Sequence, residues 1–127
     1  MSERISSERI SDAEYAVMEV LWDQSPLTAA EVAERADPER GWTDRTVKTL
    51  LSRLLGKGVL AHEEDGRRYL YRPTIERGDY VARESRKLVD RMFGGRVTPL
   101  VAHLAERDDL SPDDIAEIEA LLKALKS

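Results

Sequence analysis

The sequence predicts a mainly α-helical chain with one small β-hairpin: three helices, the hairpin, then three more helices in 127 residues. Three observations predict it. Apolar residues recur at three- and four-residue spacing in six stretches, the period of a helix with one buried face. An Asp-Gly pair at Asp65-Gly66 separates two short strand-like runs, a strong local hairpin signal. Beyond Pro73 the pattern is helical to the end, interrupted by Gly94-Gly95 and by Ser111-Pro112.

Each element has its own start and stop. Residues 2–6 and 7–11 both read SERIS, and residues 1–10 are expected to be a flexible tail. Ser11 with Glu14 forms a capping box for a first helix over about 12–24, its apolar side set by Ala13, Val17, Val20 and Leu21. Ser25-Pro26 ends it, since the residue before proline avoids the helical region. Thr28 and Glu31 cap a short helix over about 29–36, and residues 37–41 form a loop. Thr43 caps a third helix over about 44–57, with Val47, Leu50, Leu51, Leu54 and Leu55 on its apolar face and Gly56 and Gly58 at its end. Val59–His62 and Arg68–Tyr71 form the hairpin, with Tyr69 and Tyr71 on one side and Arg68, Leu70 and Arg72 on the other. Helices follow over about 76–93, 97–107 and from Ser111-Pro112 onward. The expected division is 11–73 and 74–127. A domain of ~60 residues buries only ~60% of its unfolded surface, so each half is expected to need a partner.

Composition narrows the function classes. The chain has no cysteine, which removes disulfides, thiol nucleophiles and Cys-ligated zinc. No run approaches ~18 apolar residues, and the first residues lack the apolar core of a signal peptide, so a cytoplasmic protein without membrane insertion is expected. His62 and His103 are the only histidines and fit no metal spacing; neither cofactor nor metal is expected. No GxSxG, P-loop or GxGxxG supports an enzyme. Asp113 and Asp114 suit the first turn of a helix, where acids complement the dipole.

Net charge is -5, which taken whole argues against a nucleic-acid binder. Its distribution argues the other way. Residues 1–40 sum to -6, residues 41–72 to +3 and residues 73–127 to -2. A field decays within ~8 Å at physiological salt, so a local basic surface survives an acidic total. Opposite the apolar face of the third helix lie Arg45, Thr46, Lys48, Thr49, Ser52 and Arg53, long cations among short hydroxyls. Such a face sits close in a DNA major groove, where Thr and Ser bond phosphates or base edges and Arg or Lys reaches guanine. Two short helices precede it, as in a helix-turn-helix, and a hairpin with Arg67 and Arg68 follows it as a wing.

With these residues in view, the chain resembles the penicillinase-repressor family (BlaI/MecI/CopY) of bacterial winged-helix transcriptional regulators. The matching stretches are ISDAEYAVMEVLW (10–22), PLTAAEV (26–32), WTDRTVKTLLSRLLGKGVL (42–60), GRRYLYRP (66–73), FGGRVTPLVAHLAE (93–106) and LSPDDIAEIEALL (110–122). The resemblance implies a repressor binding an inverted-repeat DNA operator as a homodimer. It carries the recognition-helix motif onto Thr43, Arg45, Thr46, Lys48 and Thr49, and the wing motif onto Gly66, Arg67, Tyr69 and Tyr71. Asp44 stands where many relatives have proline. The C-terminal helices are expected to pair through Val81, Leu88, Phe93, Leu100, Val101, Leu104, Leu121, Leu122 and Leu125. Copper-responsive members carry C-terminal Cys-x-Cys motifs, which this chain lacks. β-Lactam-responsive members are cleaved at an Asn-Phe bond by a co-encoded membrane sensor metallopeptidase; His103-Leu104 aligns with that inactivating cleavage position. The departure separates this chain from those members, and the regulated gene need not encode a β-lactamase.

Two alternatives stay open at this point. One is a winged helix used for protein contact, which the negative total charge suits. The other is a ligand-responsive regulator induced without proteolysis.

Overall fold

The computed structural model describes residues 9–127. The elements are α1 (Asp12–Asp23), α2 (Ala29–Arg35), a 3-10 turn at Pro38–Arg40, α3 (Asp44–Gly56), β1 (Leu60–Asp65), β2 (Arg68–Pro73), α4 (Arg77–Phe93), α5 (Val97–Glu106) and α6 (Pro112–Lys126). The chain forms two compact units, the first closing at Tyr80 and the second spanning 81–127. The expected tail falls largely outside the described residues. Packing begins at Ile10, which is buried in the core of the first unit.

That core is built by the apolar faces the sequence displays. Val17, Met18 and Leu21 of α1, Val32 of α2, and Val47, Leu51 and Leu54 of α3 are all buried. Caps set the helix starts. Ser11 and Thr28 each accept from the backbone N–H three residues on, and Glu14 and Glu31 accept from the cap N–H in return. Thr43 accepts from Thr46 N–H at the start of α3, and Asp44 adds an acid in the first turn. Gly58, at φ +78°, takes the left-handed conformation that turns the chain out of α3 into β1.

β1 and β2 pair antiparallel from Leu60–Pro73 to Asp65–Arg68. The turn is not at Asp65-Gly66. Asp65 is paired with Arg68, so the two linking residues are Gly66 and Arg67. Gly66 alone of the two has positive φ, +68°, the pattern of a type II′ hairpin. The Asp-Gly signal found the hairpin but misplaced its tip by one residue. Leu27 makes an isolated bridge to Tyr71, with N–H to carbonyl distances of 3.1 and 2.8 Å in the two directions. The segment before α2 is thus a third edge on the hairpin.

The first unit is closed by the start of α4. Trp22 donates its indole N–H to Ile75 O at 2.9 Å, and the rings of Tyr15, Trp22 and Tyr80 lie 5.6–6.1 Å apart. Both tryptophans pack against this core.

In the second unit, Gly94 and Gly95 break the helix at φ +58° and +83°. Arg86 ties the break, donating to Asp90 at 2.7 Å and to Gly95 O at 2.8 Å. Ser111 and Asp114 form a capping box for α6, with Pro112 in its first turn. Val89 is the one buried hydrophobic residue of this unit, whereas Leu121, Leu122 and Leu125 are 65%, 52% and 82% exposed.

Candidate nucleic-acid interface

The helical period puts Arg45, Lys48, Thr49, Ser52 and Arg53 on one exposed face of α3, around a shallow hollow of about 640 Å³. The opposite face is fixed by burial of Val47, Leu50, Leu51 and Leu54, so this face cannot turn inward. Among the described residues, Arg45, Lys48, Arg53 and Arg67 form no ion pair, and their charge is open to solvent and ligand.

The hydroxyls differ in role. Thr43 and Thr46 bond each other at 3.0 Å and cap the helix. Thr49 turns its hydroxyl back to Arg45 O at 3.0 Å. With Oγ1 held by the backbone, the methyl is the group left for contact outside the helix. Ser52 is exposed one turn further on.

The two wing arginines also differ. Arg67 occupies the hairpin turn and is exposed. Arg68 is exposed too, but donates Nε and Nη2 to Asp65 at 3.1 and 2.9 Å. Its charge is compensated on the spot. Lys48 faces the wing as well as the exposed face of α3. It shares a groove of about 570 Å³ with Arg67, Arg68, Tyr69 and Tyr71 on one side and Ala29 and Ala30 on the other. The period-2 alternation of the hairpin shows which tyrosines share a face; the Leu27 bridge that brings α2 opposite them has no local sequence signal.

One buried ion pair anchors the far end of α3. Lys57 Nζ lies 2.9 Å from Glu14 Oε1 and donates at 2.8 Å to Arg9 O. Burial pushes the Glu14 carboxyl up, but hydrogen bonds from the Ser11 backbone and Lys57, with the ammonium's attraction, outweigh it and leave its pKa below the ordinary value. Sequence reading assigns Glu14 its cap; the partner 43 residues away is not legible there.

The remaining candidates lie elsewhere. His62 is exposed on the wing and stacks on Tyr69 at 4.6 Å. The His103-Leu104 bond is inside α5, where the His103 ring meets Phe93 edge-on at 6.4 Å. Of the expected pairing residues, Val81 is 42% and Leu104 37% exposed, while Leu88, Phe93, Leu100 and Val101 are half-buried. Among the described residues no group of three or more His, Asp or Glu is placed to hold a metal ion. No helix among them is long and apolar enough to cross a membrane.

A family profile described as penicillinase repressor matches residues 10–124. The penicillinase repressor of Bacillus licheniformis is 34% identical over 119 residues, 94% of this chain and 93% of that protein. The methicillin resistance regulatory protein MecI of Mammaliicoccus sciuri is 30% identical over 113 residues, 89% and 92% of the two chains. Among solved structures, the DNA-binding domain of the repressor BlaI superposes with a TM-score of 0.52 at 38% identity, covering 61% of this chain and 93% of that one. Monomeric Bacillus licheniformis BlaI in complex with the blaP half-operator superposes with a TM-score of 0.50 at 39% identity, covering 61% and 92%.

Proposed function

The chain belongs to the penicillinase repressor family, and from that premise we propose that it is a DNA-binding transcriptional repressor that grips an inverted-repeat operator as a homodimer. The observation that carries this reading is the hollow on α3 lined by Arg45, Lys48, Thr49, Ser52 and Arg53, with no carboxylate among them, backed by a buried apolar face that fixes its orientation. Each protomer lays α3 in a major groove, with Arg45, Lys48 and Thr49 nearest the bases or their flanking phosphates. Ser52 and Arg53 reach phosphates, and Arg67 meets the backbone from the wing. Thr43 and Thr46 act through the helix start. Arg68 contributes less, because Asp65 holds it. The half-sites lie about one helical turn, ~10 base pairs, apart. Repression follows when the occupied operator excludes the transcription machinery, which places the protein with the chromosome in the cytoplasm.

Dimerisation is supported by the apolar side chains left exposed on α6 and by the thin core of the second unit. A stable pair of this kind buries on the order of 2,000 Å² or more. The His103-Leu104 bond lies within a helix, so a sensor protease would have to unwind α5 before reading an extended strand.

A footprint on DNA upstream of the gene, repeated across a salt series, tests the reading. A protected dyad whose affinity falls steeply with salt is expected; no protection at low salt would sink it. Arg45→Ala is expected to cost ~1–3 kcal/mol and to relax preference at one base pair of each half-site. Equal weakening on every sequence would make Arg45 a phosphate contact instead. Lys48→Ala is expected to lower the slope of log affinity against log salt by about one, and an unchanged slope would remove Lys48 from the interface.

A further inference from the structure

We propose that the groove between α2 and the tyrosine face of the wing is a phosphodiester subsite. In it, Lys48 and Arg67 supply charge and the Tyr69 and Tyr71 hydroxyls supply hydrogen bonds to one backbone phosphate beside the bases that α3 reads. This rests on the DNA-binding reading and adds to it two uncharged contacts and a single address on the nucleic acid.

The groove is a built feature. The paired hydrogen bonds between Leu27 and Tyr71 fasten the segment before α2 to β2, so its two walls are held by backbone. His62, directly opposite Tyr71 in the hairpin register, stacks on Tyr69 at 4.6 Å and lies 5.6 Å from Tyr71. Both phenol rings are thereby steadied on one face of the ribbon. Among the described residues neither tyrosine hydroxyl is engaged in a hydrogen bond. Partial burial pushes the Tyr71 hydroxyl up, with Tyr69 adding to the effect, so it remains a donor.

The chemistry selects the occupant. No carboxylate lines the groove, and Arg68, its third cation, is already compensated by Asp65. Two open cations with two neutral donors match an anion that presents several acceptor oxygens at once, as a phosphodiester does. Location selects its source. Lys48 lines both this groove and the exposed hollow of α3, so an anion seated here adjoins whatever α3 touches.

The test uses the full chain and a duplex that the wild-type protein enriches from a random pool, with one backbone phosphate at a time replaced by neutral methylphosphonate. Wild type is expected to lose roughly three- to tenfold in affinity at one position in each half-site. The Tyr69→Phe, Tyr71→Phe double variant, checked for fold by circular dichroism, should lose a similar factor on unmodified duplex and nothing further at that position. Arg67→Ala should behave likewise. A double variant that binds unmodified duplex as wild type does, or keeps the full methylphosphonate loss, overturns the subsite while leaving the DNA-binding reading intact. Tyrosine ring signals that shift with submillimolar inorganic phosphate, alongside an unchanged methylphosphonate profile, would assign the groove to a free anion and overturn it too. A wild-type chain that enriches no duplex at all overturns the DNA-binding reading itself.

Discussion

Leu121→Asp is expected to yield a monomer whose operator affinity falls by about two to four orders of magnitude, the scale of lost bivalency. Leu121 is 65% exposed in the single chain, so a carboxylate there meets water and leaves the protomer's own fold in place. In a dimer the same carboxylate would be carried into an apolar contact with Leu122, Leu125 and their counterparts, where an unpaired charge costs several kcal/mol. The helix itself should persist, because its start is fixed by the Ser111–Asp114 capping box. Sedimentation analysis reads the mass, and titration on the footprinted dyad reads affinity. A variant that sediments as a dimer would show that the pairing surface lies elsewhere.

Glu14→Gln is expected to cost on the order of 2–4 kcal/mol of stability at neutral pH, the loss that follows when one member of a buried ion pair is removed. The Glu14 side chain is 3% exposed and that of Lys57 15%, so the orphaned ammonium would sit largely out of water. The pH dependence carries a sharper signature. The Glu14 pKa is lowered in the folded chain. Its contribution is therefore complete above the unfolded carboxylate value and is lost as pH falls through the folded one. The gap between wild type and variant should be widest at about pH 7 and clearly narrower at about pH 3 in urea titrations. Glu31, also lowered by its cap hydrogen bonds, is common to both proteins and cancels in the difference. An equal gap at both pH values would mean that the effect comes from the Ser11 cap or from packing rather than from the ion pair.

The order and extent of the elements were legible in the sequence because the signals that set them are local. Ser11, Thr28, Thr43 and Ser111 each sit beside the helix they cap, and the apolar stripe of α3 appears in its own spacing. The cation face of α3 followed from that stripe by elimination. What escaped depends on contacts between distant segments or on a choice of register. Asp65-Gly66 marked a hairpin, but only cross-strand pairing decides that Gly66-Arg67 is the turn. That slip matters for chemistry, since it sets Asp65 opposite Arg68 and neutralises one of the two wing cations. Leu27 reads as an ordinary apolar residue before a cap, and Lys57 as a polar residue between glycines. Their partners, Tyr71 and Glu14, are 44 and 43 positions away.

The Leu27–Tyr71 bridge also bears on where the chain tolerates change in length. A lone two-stranded ribbon is marginal in water, and here the ribbon borrows an edge from the α1–α2 connection. One residue inserted between Gln24 and Leu27 would slip that edge and turn its side chains over. The disturbance would be felt at the wing, although the insertion lies in another part of the sequence. The loop around Pro38–Arg40 is exposed and makes no such bridge, so it is the place to receive an epitope or a labelling site with the reading surface undisturbed.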